Sequence, residues 1–150
     1  MEKRFDPRAD FAPGYEAMSK LTMAVKASGL DPALVELVEV RVSQINGCAY
    51  CLSVHVPAAR KAGVSQRKLD LLPAWRESGA FDARESAALA WAEALTRVAD
   101  AGMPEDLHAR MRAVFDAGEI AALGYAVVLI NGWNRLMVAA AVPPASAATP

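Results

Sequence analysis

Sulfur and imidazole are scarce in this chain: its 150 residues include two cysteines and two histidines. A four-ligand structural zinc site would need all of them. Charge of one sign is also lacking, with a net charge of -1. That balance removes the electrostatic reason to expect nucleic acid or an anionic membrane as a partner. Met1 to Pro7 carries acidic residues and no apolar stretch, so no secretory leader is read there and the cytoplasm is the expected location. In that compartment a close cysteine pair is redox-active or metal-binding more often than a structural bridge.

What the chain has is apolar surface, with 54% hydrophobic against 22% charged residues. One domain of this length buries a substantial core without staples, and the excess points to apolar surface shared between subunits. Ile120 to Val142 is nearly all apolar and long enough to cross a bilayer. Asn131, Asn134 and Arg135 interrupt it, and a charge near mid-bilayer is costly, so it reads as a core or interface helix.

The periodicity predicts helices throughout. Pro13 to Ser28 is ended by Gly29, and Asp31-Pro32 opens a second helix stopped by Asn46-Gly47. A third starts at or just before Cys48 and ends at Gly63, with Pro57 inside it as a site for a kink or an early end. Ser65 caps a short helix to Leu72, and Pro73 to Gly79 reads as a loop. Asp82 and Glu85 form a capping box before the stripe Ala88, Leu89, Trp91, Ala92, Leu95. Pro104 to Ala117 and Glu119 to Val142 complete the set. The expected architecture is a single-domain all-α helical bundle over residues 13–142, with an N-terminal arm 1–12 and a disordered tail 143–150. No strand–helix–strand alternation supports a thioredoxin-like sheet.

Both cysteines and one histidine fall in a single run, Cys48-Ala49-Tyr50-Cys51-Leu52-Ser53-Val54-His55. On a helix these three side chains share one face, within about 60° of each other. Helix N-terminal N–H groups favour a thiolate at Cys48, whereas His55 one turn on favours one at Cys51, so the spacing leaves the nucleophile open. Glu36 and Glu39 on the preceding helix are candidates to orient His55, or are a solvated face paired with Arg41. The cysteines could be core thiols, but the histidine one turn later argues against it. A metal site on Cys48, Cys51 and His55 lacks a fourth ligand, because His108 lies on a separate charged helix and reads as exposed.

The run from Glu36 to His55, a glutamate twelve residues before a Cys-x-x-Cys-x-x-x-His, resembles the AhpD-like alkylhydroperoxidase group of the carboxymuconolactone decarboxylase family. Asn131-Gly132-Trp133-Asn134-Arg135-Leu136 is similar to the family's C-terminal helix. The resemblance implies Cys51 as the peroxide-attacking thiolate, Cys48 as the resolving thiol, His55 as proton acceptor and Glu36 as the group that polarises it. Tyr50 stands where some members place a second histidine, and could donate a hydrogen bond. It further implies a peroxide substrate, an external dithiol or redox-protein reductant, no organic cofactor or metal, and a homo-oligomer, trimer or hexamer. The alternatives are a general disulfide reductase, a redox-sensing helical oligomer, and the family's decarboxylase, whose members generally lack the cysteine pair. Trp75, Trp91, Trp133, Phe81, Phe115 and Met137 are candidate pocket residues, although such side chains more often fill the core.

Overall fold

The structure is a computed structural model and describes residues 2–145. Every regular element among them is helical: α1 (Ala12–Lys26), α2 (Pro32–Ile45), α3 (Ala49–Lys61), α4 (Gln66–Leu71), α5 (Trp75–Ser78), α6 (Ala83–Thr96), α7 (Val98–Ala101), α8 (Glu105–Arg112) and α9 (Ala117–Ala140), with a 3-10 turn at Leu72–Ala74. The all-α expectation holds. Residues 146–150 of the expected tail lie outside the described residues.

α2 is the centre of the packing. Val35, Val38 and Val42 join one core cluster with residues of α6 and α9, while Leu37 and Val40 join a second that includes Ala59, Leu69, Leu72, Trp75 and Leu107. A helix buried on both sides has no exposed polar stripe. Asp31 fixes its start by accepting from Ala33 N, with Pro32 at the first helical position. The predicted Ser65 cap and the Asp82–Glu85 capping box form as the spacing requires. α3 runs through Pro57 to Lys61 without interruption.

Three boundaries differ. Pro73 to Gly79 is not a loop: a 3-10 turn leads into α5, because Trp75 is anchored by its Nε1–H to Glu93 at 3.0 Å. Arg41 Nε also donates to Glu93 at 2.7 Å, and Arg76 pairs with it. Burial pushes the Glu93 carboxyl up, but hydrogen bonds from Trp75, Arg76 and Arg41 outweigh it and hold the group below its ordinary value. α8 stops at Arg112, short of Ala117, and α9 starts earlier than Glu119, behind a capping box of Asp116 and Glu119.

α9 is the one helix among the described residues long and apolar enough to cross a membrane, and it packs on α1, α2, α3 and α6. Its polar interruptions have structural partners. Asn46 Nδ2 donates to Asn131 Oδ1 and Asn134 Oδ1, both at 2.9 Å, and the fully buried Asn134 donates to Ser43 Oγ at 3.0 Å. These bonds pin the end of α2, just before the cysteine run, to the middle of α9.

Candidate active site

The α2–α3 turn brings the sequence motif together. Gly47 adopts φ +64, a left-handed conformation that suits glycine, and turns the chain so that α3 folds back along α2. Cys48 is the N-cap of α3, its Sγ accepting from Cys51 N at 3.2 Å. Cys48 and Cys51 are disulfide-bonded, with Cα atoms 5.3 Å apart, and both are buried.

One turn further, His55 faces back to α2. Its Nδ1 lies 2.9 Å from Glu36 Oε2 and 3.1 Å from Glu39 Oε2. Side-chain exposure is 20% for His55, 13% for Glu36 and 7% for Glu39, so the three groups interact largely out of water. Burial disfavours the charged ring, but the hydrogen bonds and charges of Glu36 and Glu39 outweigh it and raise the His55 pKa from 6.5 to about 9. Neither glutamate pairs with Arg41, which turns to Glu93 instead. The Glu36, Glu39 and His55 ligand atoms lie within 4.8 Å of one another, a spacing a cation could bridge once Nδ1 lost its proton. Lys26 and Lys61 line the hollow beside the two carboxylates and already supply positive charge there.

Cys51 and His55 share a cavity of about 340 Å³. Its floor is Glu39, Tyr50, Cys51, Val54 and His55; α9 supplies Leu129, Trp133 and Met137, and α1 supplies Tyr15, Ser19, Thr22, Met23 and Lys26. Trp133 is held by an edge-on contact with Tyr15, ring centroids 5.1 Å apart. Cys48 instead borders a separate hollow with Met137, Val138, Pro143 and Pro144, and Tyr50 lines both. The two cysteines therefore border different hollows.

Of the candidate pocket residues, Trp133 and Met137 line the cavity, whereas Trp75, Trp91, Phe81 and Phe115 pack in the two core clusters. His108 is exposed on α8. The α1 wall was not singled out from the sequence: its polar Ser19 and Thr22 beside Tyr15 are an ordinary amphipathic pattern until α9 is placed against it.

The profile of the carboxymuconolactone decarboxylase family matches residues 9–94, more than half of the chain. The chain belongs to this family. An uncharacterised Bacillus subtilis protein, YdfG, is 34% identical over 131 residues, covering 87% of this chain and 89% of its own length. A crystal structure from Agrobacterium tumefaciens, of a protein of unknown function and candidate antioxidant defence protein AhpD, superposes with a TM-score of 0.93 at 33% identity, covering 97% of this chain and all of the other. An uncharacterised peroxidase-related protein from Silicibacter superposes at 0.80 with 25% identity, covering 91% of this chain and 72% of its own. Family membership points to an oxidoreductase or a decarboxylase, and the cysteine pair of this member is in its disulfide form.

Proposed function

We propose that this carboxymuconolactone decarboxylase family member is a thiol-dependent peroxidase for organic hydroperoxides. The observation that carries the reading is that Cys51, disulfide-linked to Cys48, shares its cavity with His55 and with a largely apolar wall. In the reduced protein the Cys51 thiolate attacks the peroxide O–O bond, giving a Cys51 sulfenic acid and an alkoxide that takes up a proton to leave as the alcohol. The Cys48 thiol then condenses with the sulfenic acid, releasing water and forming the disulfide. An external dithiol returns both cysteines to thiols and is itself oxidised. His55, bound to Glu36, handles the proton, and Tyr50 lies beside Cys51 as a further donor. No step uses an organic cofactor or a metal.

The cavity favours a peroxide with an apolar body. Its volume of about 340 Å³ is walled largely by apolar side chains, among them Val54, Leu129, Trp133 and Met137. The cytoplasm, with its dithiol reductants, is the compartment this cycle suits. A homo-oligomer is part of the same reading, supported by the outward face of α9, where Tyr125 is 60% and Val128 56% exposed.

Turnover of cumene hydroperoxide with dihydrolipoamide tests the cycle. Wild type consumes peroxide over many turnovers, Cys51→Ser none, and Cys48→Ser accumulates a sulfenic acid that a dimedone probe labels. Full activity in Cys51→Ser overturns the assignment. A single stoichiometric oxidation without turnover indicates a redox sensor, and dithiol consumption against a disulfide substrate alone indicates a general disulfide reductase.

A further inference from the structure

Two carboxylates on one imidazole nitrogen are more than a base needs. A histidine that must collect a proton in each cycle is served by one carboxylate, which orients it and leaves it able to lose that proton again. Here the single Nδ1–H of His55 faces Glu36 and Glu39 together, at 2.9 and 3.1 Å, and all three side chains are mostly withdrawn from water. A neutral ring could present the same Nδ1–H, but the negative charge of each carboxylate favours the cation over it.

We propose that Glu39 is a second positioning carboxylate, which with Glu36 keeps His55 as an imidazolium in the resting reduced site, so that His55 acts on Cys51 first as a positive charge and then as the acid that protonates the leaving alkoxide. The inference rests on the peroxidase reading for its chemistry and on the geometry for its charge state. With Nδ1 committed to the glutamates, Nε2–H is the ring group left for the cavity that His55 shares with Cys51. The resting reduced site is then a thiolate–imidazolium pair. Peroxide attack gives the Cys51 sulfenic acid, while Nε2 gives its proton to the departing alkoxide, releasing the alcohol and a neutral ring. After Cys48 has closed the disulfide and a dithiol has reopened it, the Cys51 thiol returns a proton to His55. Atoms and charge balance over the cycle, and the glutamates provide the drive for that last step.

The surroundings add no competing acid. α1 contributes Lys26 and Tyr15 to the cavity, α9 contributes the uncharged Leu129, Trp133 and Met137, and α3 itself contributes Tyr50. Lys26 and Lys61 lie beside the carboxylates in the adjoining hollow, where they offset the excess negative charge. The contact with two carboxylates agrees with the raised His55 pKa of about 9.

The test reads His55 without peroxide, so that its outcome is independent of turnover. In the reduced, full-length protein the imidazole carbon resonance of His55 is followed against pH by NMR, and the iodoacetamide reaction rate of Cys51 is followed alongside in the Cys48→Ser background. The expected wild-type ring stays charged past pH 8. Glu39→Gln, which keeps shape and an acceptor oxygen, lowers its midpoint by about one unit and slows thiol alkylation at pH 7 by up to about tenfold. Glu39→Asp restores part of both effects. A wild-type midpoint near 6.5, or a midpoint unmoved in Glu39→Gln while circular dichroism shows it folded, overturns the proposal. Loss of peroxidase activity with these titrations intact overturns the peroxidase reading alone.

Discussion

At the scale of single residues, His55 links the site to stability. Its folded pKa is raised from 6.5 to about 9, so the charged ring contributes stability that is complete below about pH 6.5 and is lost as pH rises through about 9. A shift of that size corresponds to roughly 3–4 kcal/mol as an upper bound. The oxidised protein has no titrating cysteine, because Cys48 and Cys51 are bonded to each other. Thermal melts of that form between pH 6 and 10 are therefore expected to show Tm falling over the window 6.5 to 9, with His55→Phe flattening that fall. A wild-type Tm that is level across the window contradicts the charge state.

The element that matters most is the turn between α2 and α3. Gly47 holds φ +64, and a Cβ built there meets nothing within 4 Å, so Gly47→Ala carries only the conformational penalty, about 1 kcal/mol. Asn134→Ala is expected to cost more, about 1–3 kcal/mol, because it leaves Ser43 and Asn46 short of a buried partner at the end of α2. Urea melts at neutral pH rank the two variants, and the reverse order would mean that the asparagine bonds do not pin the turn. Local signals of this kind were legible in the sequence. The caps Asp31, Ser65 and Asp82, the Asn46-Gly47 stop and the Cys48–Cys51–His55 face all follow from spacing within one or two helical turns. Where distant partners decide, sequence reasoning falls short. Trp75 is drawn into a helix by Glu93, eighteen residues away, and the α1 wall of the cavity exists only once α9 packs on it. Glu36 and Glu39 lie on one face of α2 and periodicity cannot choose between them; the structure brings both to His55. The Asp116–Glu119 capping box was readable by the same rule as Asp82–Glu85, and was hidden only because the preceding helix was extended across it.

For the whole molecule, the distribution of apolar surface is the remaining constraint. α9 is buried along Leu123, Ala126, Val127 and Ile130, yet on its outer side Ala121, Tyr125 and Val128 stand in solvent one turn apart. Scattered single apolar residues on a surface are ordinary, but neighbouring ones on a rigid helix form a patch that a second copy of the chain can cover. Arg135 two turns on, bonded to Asn131 Oδ1 at 2.6 Å, places a fixed charge at the end of that stripe, as an interface rim requires. Sedimentation is expected to give a mass above the 15.9 kDa of one chain. Val128→Glu puts a charge in the centre of the patch and is expected to shift the mass toward the monomer, with helical content unchanged because the side chain faces outward. Since none of the cavity residues lies on this stripe, the separated chains should still form the Cys48–Cys51 disulfide when treated with one equivalent of peroxide. A monomeric wild type, or a Val128→Glu variant of unaltered mass, removes α9 as the contact and leaves the exposed Phe11, the N-cap of α1, and Met23 within α1 as the apolar surface to be explained.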